Sequence, residues 1–223
     1  MIHVITKIER PSKDLINPFR EIGTATVHEA SGKKGAVDYA IRPIARGVRI
    51  CGPAFTVQCH PLDNLMLHKA LEKAQPGDIL VATVGGHYEG GYFGGLMATS
   101  AVARKVGGLA IDGTIRDSEE LIEMGFPVFC RGFSIKGTTK SVLGLVNHPV
   151  LFGGVLVNPG DLILGDDDGM VVVARGDCQA VLEKSRQRVE TENKKTLELR
   201  TGVSGVKLSG LDKIFEKLGL VED

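Results

Sequence analysis

A mixed α/β domain is the fold class this sequence predicts, and three observations carry the prediction. Short apolar runs of strand length at residues 79–82, 109–112, 127–130, 155–157 and 170–174 are interleaved with segments of helical period. Glycine occupies 29 of the 223 positions, nearly double a typical usage of roughly 7%, so tight turns should link the elements at short range. The length suits one sizeable core with a terminal appendage.

In chain order, residues 14–30 read as helical, interrupted by Pro18 and Gly23. A loop containing Gly47 and Pro53 leads to a half-buried strand at 54–59, where apolar and polar residues alternate. Asp63 is positioned to cap a helix that puts Leu67, Leu71 and Ala74 on one face, and Pro76-Gly77-Asp78 ends it before strand 79–82. A glycine-rich turn at 85–95 opens a helix at 96–104, and Gly107-Gly108 precedes strand 109–112. A short helix at 117–124 is followed by strand 127–130. The strands at 155–157 and 170–174 are preceded or separated by the turns Asn158-Pro159-Gly160-Asp161 and Asp166-Asp167-Asp168-Gly169. The acidic turn is not an EF-hand, because Met170 falls on a ligand place and Val171 on the glycine place.

Residues 178–200 form a highly charged helix with Leu182, Ser185, Val189, Glu192, Thr196 and Leu199 along one seam. Glu192 stands where an apolar residue belongs. Either the helix is washed by solvent there, or the carboxylate projects into a neighbouring subunit's site. A last amphipathic helix carries Leu211, Ile214, Phe215 and Leu218. The chain thus divides into an α/β core at 1–177 and a helical extension of the same domain at 178–223.

Composition narrows the function. Lys plus Arg and Asp plus Glu each number 27, and this neutral balance argues against direct nucleic-acid binding. The longest charge-free stretch, 141–160, contains Asn147, His148, Pro149, Asn158 and Pro159, which argues against a membrane span. The first ten residues lack a signal-peptide pattern, and the four cysteines are too dispersed for a zinc or disulfide framework, so a cytoplasmic protein with reduced thiols is expected.

The most informative stretch runs from Gly90-Gly91 through Gly94-Gly95-Leu96-Met97 to Arg116-Asp117 and Glu120. Paired glycines opening a helix leave backbone N–H groups free for a carboxylate or phosphate. Neither a Walker loop nor a dinucleotide fingerprint is present. Arg116-Asp117 follows strand 109–112 at the end where open α/β sheets place ligands. Asp117 and Glu120, three apart, share a face if the turn is helical and would offer two oxygens to a hard cation. A cation, an arginine and an anion-binding helix end suit a small oxoacid whose enolate charge must be stabilised. Of the remaining candidates, His28-Glu29 could offer a base and His68 could face a site, but both histidines read more simply as packing or surface residues. His87 and Tyr88 could line a mouth, Lys136 reads as a surface lysine, and no serine sits in a nucleophile elbow.

The segments 24–30 (Thr-Ala-Thr-Val-His-Glu-Ala), Pro61-Leu62-Asp63-Asn64, 94–98, 112–117 and 165–169, in this order and spacing, resemble the RraA-like family, most closely its class II pyruvate aldolases. Those enzymes cleave 4-hydroxy-4-methyl-2-oxoglutarate or 4-carboxy-4-hydroxy-2-oxoadipate and also decarboxylate oxaloacetate. The resemblance implies an αββα sandwich or barrel related to swivelling phosphohistidine domains. It further implies C-terminal helices packed on a neighbouring subunit and a homotrimer or hexamer with Mg²⁺ or Mn²⁺ sites between subunits. It assigns Asp117 to the metal, Arg116 to the keto oxygen, Gly94, Gly95 and the backbone of Leu96 and Met97 to the substrate carboxylate, and Glu192 to the neighbour's site. The aldolases carry an aspartate where Gly95 stands, and Glu120, three residues after Asp117, is positioned to substitute for it. The same family contains a non-catalytic branch that binds ribonuclease E, which supplies the alternative function.

Overall fold

The computed structural model describes all 223 residues. Helix α1 (Lys13–Ile16), a 3₁₀ turn at Asn17–Glu21 and helix α2 (Thr24–Ala30) open the chain, and Pro18 sits in the first turn, where its missing N–H breaks no bond. Then come β1 (Arg42–Pro43), β2 (Ile50–Gln58), α3 (Leu65–Lys73), β3 (Ile79–Thr83), α4 (Gly95–Ala103), β4 (Gly108–Asp112) and β5 (Thr114–Ile115). They are followed by α5 (Ser118–Glu123), β6 (Val128–Cys130), β7 (Gly132–Phe133), β8 (Leu145–Val146), β9 (Val150–Phe152), β10 (Val155–Val157), β11 (Leu162–Asp166) and β12 (Gly169–Val173). Helices α6 (Cys178–Arg200), α7 (Gly205–Leu208) and α8 (Asp212–Leu218) end it.

The main sheet runs β1-β6-β4-β3-β2-β11-β12, with β2, β3, β4 and β6 parallel and the others antiparallel. Residues 36–44 draw its two edges together. Ala36 bridges to Val171 on β12, while Arg42 pairs with Cys130 and the Ile44 N–H donates to Val128 O on β6. The sheet is therefore a nearly closed barrel.

Alternation along the strands sorts side chains into layers. On β3, Ile79 and Val81 point into the barrel with Ala54, Ala110, Phe129 and Ile163, while Leu80 and Ala82 point outward against Leu67, Leu71, Met97 and Ala98 of α3 and α4. On β11 and β12, Ile163, Met170 and Val172 face inward, and Leu162, Leu164, Val171 and Val173 face α2 and α6. Helices thus cover the barrel on two sides, as an αββα arrangement requires.

The strand at 54–59 begins earlier than its alternation suggests, at Ile50. Pro53 is tolerated inside β2 because it lies where the strand exchanges β11 for β3 as neighbour. Asn64 holds the N-cap place of α3 without a side-chain cap bond, and Asp63, one residue earlier, supplies the capping carboxylate, its Oδ1 accepting the Leu65 N–H at 2.9 Å. Strand β11 has no counterpart in the sequence reading. The acidic turn after it works at a distance: Gly23 gives α2 no capping side chain, and Asp166 supplies one, accepting from the Thr24 N–H at 2.8 Å and the Thr24 hydroxyl at 2.6 Å.

Helix α6 buries Cys178, Val181, Leu182 and Ser185 against the core, and from Glu190 onward every residue of it is exposed. Leu197, Ile214, Leu218 and Leu220 are exposed in the same region. No helix is long and apolar enough to cross a membrane. All four cysteines are buried and unpaired, and burial pushes the Cys59 thiol up to about 12.

Candidate active site

The carboxyl ends of the parallel strands carry a cleft of about 170 Å³ bounded by the glycine-rich segment before α4, the segment after β4, the start of α3 and the loop at 137–140. Backbone hydrogen bonds lock these pieces together. The Tyr92 N–H donates to Thr114 O, the Arg116 N–H to Phe93 O and the Gly91 N–H to Lys136 O. Gly91 is required by close approach, since a Cβ there would lie 2.8 Å from Cβ of Arg116.

Asp117 adopts a left-handed conformation with φ 55° at the N-terminus of α5. This turn aims its carboxylate at the start of α4, where Oδ2 accepts the Gly95 N–H at 3.0 Å. The Arg116 Nε lies 3.6 Å from the same oxygen. One of the N–H groups expected to receive a substrate carboxylate is therefore already taken by Asp117. The Met97 N–H is also occupied, donating to Gly94 O, whereas the Leu96 N–H has no partner in the chain and opens the exposed face of the helix end. Glu120 lies against Gly95, and a Cβ built on Gly95 would overlap its carboxylate.

The far wall was largely missed from sequence. Asn64 is 6% exposed; its Nδ2 donates to Tyr92 O at 2.9 Å, and its Oδ1 has no hydrogen-bond partner. His68 and Lys140 line the cleft as well, and burial followed by the Lys140 charge lowers the His68 pKa. Lys140 sits on an irregular loop without periodicity, so no pattern marks it. Asp63 clamps that loop: its Oδ2 accepts the Ser141 N–H at 2.6 Å, the Thr139 hydroxyl at 2.8 Å and the Val142 N–H at 3.2 Å, while Oδ1 accepts the Leu65 N–H.

His87 and Tyr88 do not line this cleft. The Tyr88 hydroxyl donates to Asp112 at 3.2 Å and its ring lies beneath Arg131, which also ion-pairs with Asp112 and Asp38. The turn containing Tyr88 is thus fastened to the end of β4, drawn sideways from the cleft by a cation and an acceptor. Lys136 is exposed and pairs with Glu89.

Arg116, Asp117, Glu120, Gly94, Gly95, Leu96 and Met97 come together within one chain, and Glu192 does not join them. It lies on the exposed half of α6, 2.8 Å from Arg188, which in turn is 3.8 Å from Glu29. No cluster of three metal-binding side chains exists. The donor set fits a hydrated hard cation nonetheless, because Asp117 is 42% exposed with Oδ1 free of partners, and such ions keep several waters on one or two carboxylates.

The family model described as RraA-like, Aldolase/RraA, matches residues 24–172. A protein of Halalkalibacterium halodurans, provisionally named a 4-hydroxy-4-methyl-2-oxoglutarate aldolase, is 35% identical over 175 residues, covering 78% of this chain and 83% of its own. The crystal structure of Streptomyces coelicolor RraAS2, described as an unusual member of the RNase ES inhibitor RraA family, superposes with a TM-score of 0.77 at 30% identity over 85% of this chain and 99% of that one. The RNA-processing inhibitor RraA from Thermus thermophilis gives a TM-score of 0.64 at 27% identity, over 69% of this chain and 93% of that one.

Proposed function

The chain belongs to the RraA-like family, and from that premise we propose that it is a divalent-metal-dependent lyase releasing pyruvate from small 2-oxo-acids. The substrates are 4-hydroxy-2-oxo diacids, cleaved in a retro-aldol reaction, oxaloacetate, decarboxylated, or both. The observation that carries this reading is the carboxylate of Glu120 filling the space beside Gly95, next to Arg116 and Asp117 at the end of α4.

Asp117 would hold Mg²⁺ or Mn²⁺, with water completing the coordination. Such an ion supplies Lewis-acid polarisation of the substrate keto group. The Leu96 N–H and the positive end of α4 receive the C1 carboxylate. Arg116 stabilises the negative charge that develops on the C2 oxygen as the C3–C4 bond breaks and its electron pair moves into the enolate. In decarboxylation CO₂ leaves and C3 takes up a proton. In the retro-aldol reaction a base must first remove the C4 hydroxyl proton, and C3 is then protonated to give pyruvate. Glu120 stands where it can hold a proton for these steps. Glu192 of a second copy, in a trimer or hexamer, is the further carboxylate.

A second reading has its own support. Gly95 stands where the aldolase pattern has aspartate, and two structural neighbours are described as ribonuclease inhibitors or their relatives. On that reading the same fold binds and regulates a ribonuclease. Pyruvate release from oxaloacetate and 4-hydroxy-4-methyl-2-oxoglutarate, with Mg²⁺, Mn²⁺ or EDTA, separates the two. The lyase requires metal-dependent turnover above the metal-only background that is lost in Asp117→Asn. No turnover from either acid overturns it and leaves the binding protein.

A further inference from the structure

We propose that a second cleft, at the amino ends of the parallel strands, is a binding site for a compact polyanion carrying two or more phosphate or carboxylate groups. This inference does not rest on the lyase reading. The cleft is the more spacious of the two, about 400 Å³, and Ile16 is the one hydrophobic residue in its wall. Three prolines line it and no aromatic ring does, so it offers nothing for a nucleobase to stack on.

Its charge is unbalanced. Asp78 is the one carboxylate in the wall, and it is 1% exposed and fully engaged. It accepts both Nε and Nη2 of Arg10 at 2.7 Å and the Gln75 N–H at 2.8 Å. Lys13, Arg20 and Lys105 line the same cleft, and none of them has a carboxylate within ion-pair distance. In a chain of zero formal charge, three uncompensated cations around one concavity are a local excess that a multivalent anion would neutralise.

The floor is rigid and preformed. The Gly77 carbonyl packs so closely on Gly52 and Gly107 that neither could carry a side chain, and the Gly77 N–H donates to Lys105 O at 2.8 Å. Lys105 itself is held in the left-handed region at φ 58°, just beyond the C-terminus of α4. The two clefts therefore sit at opposite ends of α4, whose nine residues span roughly 13 Å. A ligand here does not occupy the Arg116–Asp117 cleft.

The test is calorimetric titration of the full chain, stripped of divalent metal on a chelating resin and free of polyanionic buffer, with inorganic pyrophosphate and citrate as separate probes and orthophosphate as the single-group control. One site per chain is expected, with orthophosphate about tenfold or more weaker than the better of the other two, and with affinity falling as salt rises. Whichever of pyrophosphate and citrate binds tighter identifies a phosphate or a polycarboxylate source. Lys13→Ala/Lys105→Ala and Arg20→Ala should each weaken binding by about tenfold or more. Because all three side chains lie at the surface, the melting temperature without ligand should stay unchanged. Absence of binding by both probes, unchanged affinity in both variants, or loss of binding in Arg116→Gln instead would overturn the proposal.

Discussion

The carboxylate of Glu120 occupies the volume that a side chain on Gly95 would fill, so the two positions compete for one place at the N-terminus of α4. The consequence is a specific non-additivity. Glu120 is exposed, so its carboxylate has room to swing into solvent, and Gly95→Ala should fold normally and gain up to about 1 kcal/mol from helix propensity. Gly95→Ala and Glu120→Gln should then each reduce pyruvate release by a similar factor, on the order of a hundredfold, and the double variant should be no worse than either. Multiplying losses in steady-state kinetics would show that Glu120 acts from elsewhere.

Asp117 combines a charge with an unusual backbone. Asn tolerates the left-handed region nearly as well as Asp and keeps an acceptor for the Gly95 N–H, so Asp117→Asn should lose turnover but retain the native urea midpoint. Asp117→Ala should lose turnover equally and cost about 1–2 kcal/mol more in unfolding free energy. Equal stability of the two variants would remove backbone strain from the account.

These relationships divide sharply in how far they could be read from sequence. Strand β3 was legible because Ile79 to Ala82 is a short apolar run bounded by a Pro-Gly-Asp turn, and Arg116-Asp117 because a charged pair followed a buried strand. Strand β11 was not: Leu162 and Leu164 face α2 and α6 while Ile163 faces the barrel, so both faces are apolar and no alternation appears. The barrel's closure through residues 36–44 rests on one bridge to β12 and a two-residue pairing with β6, too short to leave a periodic trace. Lys140 and Asn64 reach the cleft through tertiary clamps, chiefly Asp63, which are invisible at the level of spacing. Glu192 stood out as a polar residue on a seam, yet within one chain that seam is buried only as far as Ser185 and faces solvent from Glu192 onward.

Asp63 supplies a pH-dependent clamp. Burial raises its pKa, but the N–H groups of Ser141, Leu65 and Val142 and the Thr139 hydroxyl pull harder, so the carboxyl ends below its ordinary value. A lowered carboxylate binds its proton later in the folded than in the unfolded chain. Its contribution is therefore complete above the unfolded value of about 3.9 and is lost as pH falls through the folded one. Asp63→Asn should cost about 2–3 kcal/mol at pH 7 and flatten the acid limb of the stability curve. Amide exchange at Ser141 and Val142 should accelerate; unchanged protection there would remove Asp63 from its clamping role.

His68 and Lys140 report on each other across the cleft. Burial and then the Lys140 ammonium disfavour the imidazolium, which holds the His68 pKa below its ordinary value. Lys140→Met removes one of these causes, so the His68 pKa should rise toward about 6.5 without reaching it, as followed by NMR titration of the ring protons. The folded chain binds fewer protons at His68 than the unfolded one, so this group's share of stability is complete above the unfolded value of about 6.5 and is lost as pH falls through the folded one. That loss should be smaller in Lys140→Met. A His68 titration indifferent to the substitution would place the two side chains too far apart to interact.

Glu192 allows the shared-site reading to be tested without a structure of the assembly. Within one chain it pairs with Arg188 on the exposed half of α6, away from the cleft that holds Asp117. If each site takes Asp117 from one copy and Glu192 from another, Asp117→Asn and Glu192→Gln are each inactive but complementary. Co-refolding them in equal amounts should create sites with both native residues at about one in four, by random assembly of a closed oligomer, and should recover activity to that extent. Mixing without refolding should recover less, because subunits must exchange first. Persistent inactivity of the mixture, with each variant still assembling and melting as the native protein does, would mean that both residues act within one chain and would overturn the shared site, whereas full activity of Glu192→Gln alone would place Glu192 outside the reaction.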